Sequence, residues 1–241
     1  MRPVFISFGR FVKEIFKDAM LVAITILPLL LGLLIKFGIP LLETFLENQF
    51  GLVRLLAPCY ILFDLTVILS TPIMFGYAGL MVLLEERDSG VLKYLCVTPL
   101  GMRGYIVSRL VFLSAIASVY DFVVEIIFHL SPITFMQITL GCAFSFLTGI
   151  WIICLIASLA SNKVEGLAFS KFTGILILGP LAAFFIKDGV KYIAGFLPTF
   201  WFTEYCLNPN VYGIASLAVS FVLTLVYVAI TIPMQVRRTV A

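Results

Sequence analysis

Apolar residues in this chain gather in six long runs separated by short polar breaks. The runs extend from Ala19 to Ile35, Leu55 to Leu84, Ile106 to Leu130, Ile133 to Leu159, Phe172 to Ile186 and Val211 to Met234. A helix needs about 20 such residues to cross a bilayer, within a range of roughly 17–25. The second run is long enough to tilt or to continue past the lipid, and the fifth is short. Unbroken apolar runs predict helices, since strands of a membrane barrel alternate between apolar and polar. The pattern therefore predicts an all-α integral membrane protein with six transmembrane helices in one domain, residues 1–241, with no internal repeat.

Two flanking stretches carry their own patterns. The opening "MRPVFISFGRFVKEIFKD" sets Phe5, Phe8, Val12, Ile15 and Phe16 at helical spacing, with Arg10, Lys13, Glu14 and Lys17 opposite. This predicts an amphipathic helix over residues 1–18 lying in the membrane interface. The stretch is too polar for a secretory signal and lacks a small-residue cleavage site. Residues 187–210 are apolar but broken by Gly189, Gly195, Pro198 and Pro209, which predicts short half-helices at the outer face. Their aromatics, Phe196, Phe200, Trp201, Phe202 and Tyr205, suit an outer interfacial belt.

Composition supports the membrane reading. The chain is 62% hydrophobic and 12% charged, with a mean hydropathy of +1.15. Soluble domains carry about 25% charged residues. A net charge of +3 gives no case for nucleic-acid binding. The five cysteines (Cys59, Cys96, Cys142, Cys154 and Cys206) are scattered without a C-x-x-C pair, so neither a disulfide framework nor a metal site is expected from them.

Charge also orients the chain. With both termini cytoplasmic, the inner segments carry Arg2, Arg10, Lys13, Lys17, Arg87, Lys93, Arg103, Arg109, Lys163, Lys171, Arg237 and Arg238. The outer segments then carry only Lys36, Arg54, Lys187 and Lys191. This is a positive-inside distribution, expected of a bacterial plasma-membrane protein with cytoplasmic termini.

One inner segment is unusual. Residues 85–105, "EERDSGVLKYLCVTPLGMRGY", separate the second and third runs and are far longer than a connection between adjacent helices needs. Glu85, Glu86, Arg87 and Asp88 open it, and Gly90 interrupts it. Val91, Leu92, Leu95 and Cys96 then share one face of a short helix, with Lys93 opposite and Thr98-Pro99 as its stop. A short amphipathic element on this face can lie on lipid or dock in a groove of a partner.

The stretch resembles the coupling segment of type-2 ATP-binding-cassette (ABC) exporter permeases, with its pattern E-[KR]-E-x-G-[TV]-L-x-x-L-x-[VS]-[TS]-P. Glu85, Glu86, Arg87, Gly90, Val91, Leu92, Leu95, Val97, Thr98 and Pro99 occupy that pattern, with Asp88-Ser89 departing from it. The layout of six spans, an N-terminal interfacial helix and a broken fifth span is similar to the family as well. The resemblance implies a cytoplasmic coupling helix docked on a separate ABC ATP-binding subunit, which would hold the ATP and Mg. It also implies a homo- or hetero-dimer of permeases in the lipid. Spans almost free of fixed charge favour a hydrophobic or amphipathic substrate. In the chain itself no phosphate loop G-x-x-x-x-G-K-[ST] and no Gly-Lys pair occurs, so neither a cofactor nor a catalytic site is expected.

Four ionisable groups lie inside the runs: Asp64, Asp121, Glu125 and His129. Such groups are costly in lipid and point to function by default. Asp121, Glu125 and His129 are spaced four apart and share a helix face. They could pair structurally, line the translocation path, or relay protons. One His and two carboxylates make a poor metal site, and an intramembrane protease would need more histidines. Two other function classes therefore stay open. One is an ion-coupled secondary transporter or channel using that stripe, and the other is a membrane scaffold that transports nothing.

Overall fold

The computed structural model describes residues 2–51, 56–91, 94 and 101–240, and every element among them is helical. Helix α1 (Arg2–Lys17) precedes α2 (Ala19–Phe50) and α3 (Ala57–Asp88). Helix α4 runs on through Gly101–Ile106, Val107–Val111 and Phe112–Phe128. Then come α5 (Phe135–Leu159), α6 (Lys163–Phe185), the short α7 (Gly189–Phe196), α8 (Pro198–Leu207) and α9 (Val211–Val240). Six of these, α2, α3, α4, α5, α6 and α9, are long and apolar enough to cross a membrane.

Helix α3 is the centre of the bundle. Its most apolar window is 83% buried, against 22% in α2, α6 and α9. The outer three expose Leu30, Leu34, Phe172, Phe185, Ile214 and Val222 among many others, a surface only lipid or another apolar protein can cover. Gly79 lets α4 close on α3, since a Cβ there would sit 2.3 Å from Leu113 Cδ2. Helix α9 turns a stripe of small polar residues inward, Ser216, Ser220, Thr224 and Thr231, whose hydroxyls donate to carbonyls of their own helix.

The element boundaries depart from the runs in instructive ways. The first span does not end at Ile35 but continues to Phe50 through a π turn at Leu34–Gly38. Pro40 explains the turn: its ring would clash with the carbonyl four residues back, and a widened turn displaces that carbonyl. Beyond it, buried Glu43 accepts from the backbone N–H groups of Leu56 (3.3 Å) and Ala57 (3.2 Å) and from the Tyr60 hydroxyl, tying α2 to the start of α3. The second span also overruns its expected end at Leu84, so the charged quartet 85–88 is the last turn of α3. In the fifth, Lys171–Ile177 tightens to a 3₁₀ helix, which agrees with a broken span.

Helix α1 forms as expected, but its apolar face is shared. Phe11 and Ile15 are buried against the bundle, while Phe5, Ile6 and Phe16 stay exposed for lipid. The half-helices at 187–210 also form, yet the aromatic belt is corrected. Phe200, Phe202 and Tyr205 are buried, and Phe202 stacks on Phe144 of α5 with ring centroids 4.8 Å apart. Pro198 at the first helical position starts α8 inside the bundle rather than along its rim.

Candidate functional site: a charged clasp at the end of α3

The four charged residues that close α3 each hold a different element. Glu85, at the surface, pairs with Lys163 at the start of α6 (2.8 Å). Glu86 is buried and pairs with Arg109 of α4, whose Nε donates to Glu86 Oε2 at 3.1 Å. The Tyr105 hydroxyl donates to the same oxygen at 2.9 Å. Arg87 donates to the carbonyls of Ala160 (2.9 Å) and Ala157 (3.2 Å), the free end of α5. Asp88 accepts from the Lys163 N–H (3.0 Å), an unpaired donor at the start of α6.

Arg109 extends the clasp to α1. Its Nη1 donates to the Ser7 carbonyl (3.0 Å) and hydroxyl (2.9 Å), and its guanidinium lies 4.7 Å over the Phe11 ring. The π turn at Val107–Val111 makes this possible, because a widened turn buries Ser108, Arg109 and Leu110 in succession. Burial, and then the neighbouring Glu86 charge, push the Tyr105 phenol well above its usual range, so it serves as a hydrogen-bond donor. A cleft of about 640 Å³ opens beside the clasp, lined by Glu14, Lys17, Asp18, Glu85, Ser89 and Lys163. Burial, and then Glu86, raise the Glu14 carboxyl above its ordinary value.

The expected partner-facing residues thus divide. Glu86 is buried and Arg87 half-buried, each holding a neighbouring helix. Gly90 has φ +73°, a left-handed cap that stops α3 and that glycine adopts without strain. Beyond it Val91 and Tyr94 are exposed, Tyr94 at 75%. Leu92, Leu95, Thr98 and Pro99 lie outside the described residues.

The intramembrane groups divide too. Asp64 is a structural cap: it accepts from the N–H groups of Leu130 (2.9 Å) and Ser131 (2.8 Å) and from the Ser131 hydroxyl (2.5 Å). His129 leaves the stripe, because α4 ends at Phe128, and its Nδ1 meets the Glu125 carbonyl, not the carboxylate, at 2.8 Å. Asp121 and Glu125 remain fully buried between α3, α4 and α5. Sequence reasoning missed the roles of Arg109, Tyr105, Ser7 and Phe11. The four-residue step from Tyr105 to Arg109 was the available signal. It also missed the Lys191–Glu204 pair (2.6 Å), which anchors α7 to α8.

Comparison with known proteins gives one family. Residues 11–236 match the family described as fluoroquinolones export permease protein Rv2686c-like. Two relatives are the fluoroquinolones export permease proteins MT2760 and Rv2686c of Mycobacterium tuberculosis, strains CDC 1551 / Oshkosh and H37Rv. Each is 25% identical over 204 residues, covering 81% of this chain and 78% of the relative. No solved structure matches.

Proposed function

This chain belongs to the Rv2686c-like family of fluoroquinolone export permeases, and on that premise we propose that it is the membrane-spanning half of an ATP-driven exporter. Two copies, or this chain and a related permease, form the pathway in a bacterial plasma membrane with cytoplasmic termini. A separate ATP-binding subunit supplies the energy through residues 85–100, and this chain performs no covalent chemistry. The substrate is a hydrophobic or amphipathic compound. The relatives' names point to fluoroquinolones.

The clasp is the observation that carries the coupling. A partner gripping the exposed Val91 and Tyr94 would pull on the last turn of α3. Glu86 and Arg109 tie that turn to α1 and α4, while Arg87 and Asp88 tie it to α5 and α6. Movement outside the membrane is thereby shared among five helices.

A mild-detergent pull-down from native membranes tests this, followed by an ATP hydrolysis assay. The expected result is a stoichiometric soluble ATPase, lost when Leu92 and Leu95 both become Asp. A chain that purifies alone and moves solute without nucleotide would overturn the proposal in favour of ion-coupled transport.

A further inference from the structure

Six buried side-chain oxygens on two packed helices find no hydrogen-bond partner among the described residues. They are Ser114 Oγ, both carboxylate oxygens of Asp121 and Glu125 Oε2 on α4, with Ser145 Oγ and Thr148 Oγ1 on α5. All belong to residues no more than 2% exposed. Native interiors satisfy nearly all such groups, so the unpaired oxygens of Asp121 and Ser145, which face each other, call for something to fill the place between them.

Ser114, Asp121 and Glu125 are spaced seven and four apart on one face of α4, and Ser145 and Thr148 are a turn apart on α5. From α3, Thr71 donates to the Val67 carbonyl at 3.2 Å and keeps its lone pairs for another contact. The Asp121 carboxylate faces the hydroxyls of Thr71 and Ser145. Gly149 lets α4 and α5 close here: a Cβ would stand 3.0 Å from Ser114 Oγ.

Among the described residues nothing cationic faces this centre. Asp64 and Thr71 face it from α3, Cys142 and Ser145 from α5, and Cys206 from α8. None of the three ion pairs among the described residues includes Asp121 or Glu125. His129 is spent on the Glu125 carbonyl beside Asp64. Bare carboxylates without counter-charge are prohibitively costly inside a membrane bundle. The buried, unpartnered Ser145 hydroxyl aimed at Asp121 separates this place from a mere pair of acids.

We propose that the α3–α4–α5 core binds a small monovalent cation, a proton or a sodium ion, on Asp121 with the hydroxyls of Thr71 and Ser145, and with Glu125 one turn away. The donors are all hard oxygens, two neutral hydroxyls beside two carboxylates, which suit such ions. The bound ion joins three core helices within one subunit. The proposal stands independently of the ATP-driven reading.

The test uses the purified chain in detergent without any partner. Sodium is exchanged for choline at constant ionic strength while the thermal midpoint is followed, and in a second arm the pH is lowered in choline. The acid arm uses a Glu14→Gln background, which removes the cleft carboxyl whose titration also favours the folded state at low pH. A site bound at a hundredfold excess over its dissociation constant raises the midpoint by about 5–10 °C. A rise in the sodium arm identifies sodium, and a rise in the acid arm identifies the proton. The rise is lost in Asp121→Asn. Should that variant fail to fold, Ser145→Ala, which leaves charge unchanged, shifts the titration to higher cation concentration. A midpoint indifferent in both arms, or a dependence that survives Asp121→Asn or is unmoved in Ser145→Ala, overturns the site.

Discussion

Replacing Arg109 with Met removes the guanidinium at the centre of the clasp but keeps an unbranched stem against Phe11 and Tyr105. Arg109 is 3% exposed and donates to Glu86, Ser7 and Ser108. Without it, buried Glu86 keeps, among the described residues, only the Tyr105 hydroxyl as a side-chain partner, and the Ser7 side of α1 loses its anchor. Breaking a buried ion pair by deleting one member costs about 3–5 kcal/mol, mostly from the charge left behind. For a chain of this length each kcal/mol lowers the thermal midpoint by roughly 2–4 °C, so a fall of about 6–20 °C is expected. Glu86→Leu strands the arginine and falls in the same range. The double variant Glu86→Leu/Arg109→Met leaves no stranded charge and is expected to be more stable than either single variant. Thermal unfolding of all four proteins in one detergent measures this cycle. Losses that simply add in the double variant, or an Arg109→Met midpoint equal to the parent's, would refute the clasp as a coupled unit.

Three further perturbations follow from local geometry. Gly90→Ala meets nothing within 4 Å, so its cost is the left-handed backbone alone, about 1–2 kcal/mol, read as a midpoint lower by a few degrees with weakened ATPase coupling. Gly213→Ala drives a Cβ to 1.9 Å from the Asn208 backbone carbonyl, which no rotamer relieves, so α8 and α9 separate at a cost of about 1–3 kcal/mol, seen as reduced thermal stability. Glu14, whose carboxyl is raised above 4.5, favours the folded state most fully below that pH, and the contribution fades as pH rises through the folded value. Glu14→Gln should flatten that part of the stability–pH profile, as thermal midpoints across mildly acidic pH would record.

The six apolar runs determined the membrane class and the number of crossings, and the spacing of apolar residues over 1–18 determined the amphipathic first helix. They could do so because lipid demands internally bonded helices, and that demand is written in composition alone. The pattern at 85–99 likewise singled out one segment, and Gly90 was legible as a break because only glycine sits readily at positive φ. Where the helices end was not legible: Glu85 to Asp88 look like loop, and only neutralisation by Lys163, Arg109 and the ends of α5 and α6 lets them finish α3. The meaning of individual charges was decided by packing as well. Asp64 and Asp121 read alike in sequence, yet Asp64 meets the Leu130–Ser131 backbone while Asp121 faces two hydroxyls without a paired hydrogen bond and, among the described residues, no counter-charge. The partner of a buried charge lies on another helix, many residues distant in the chain, so composition and periodicity can place the charge in the membrane but only the tertiary structure assigns its neighbour.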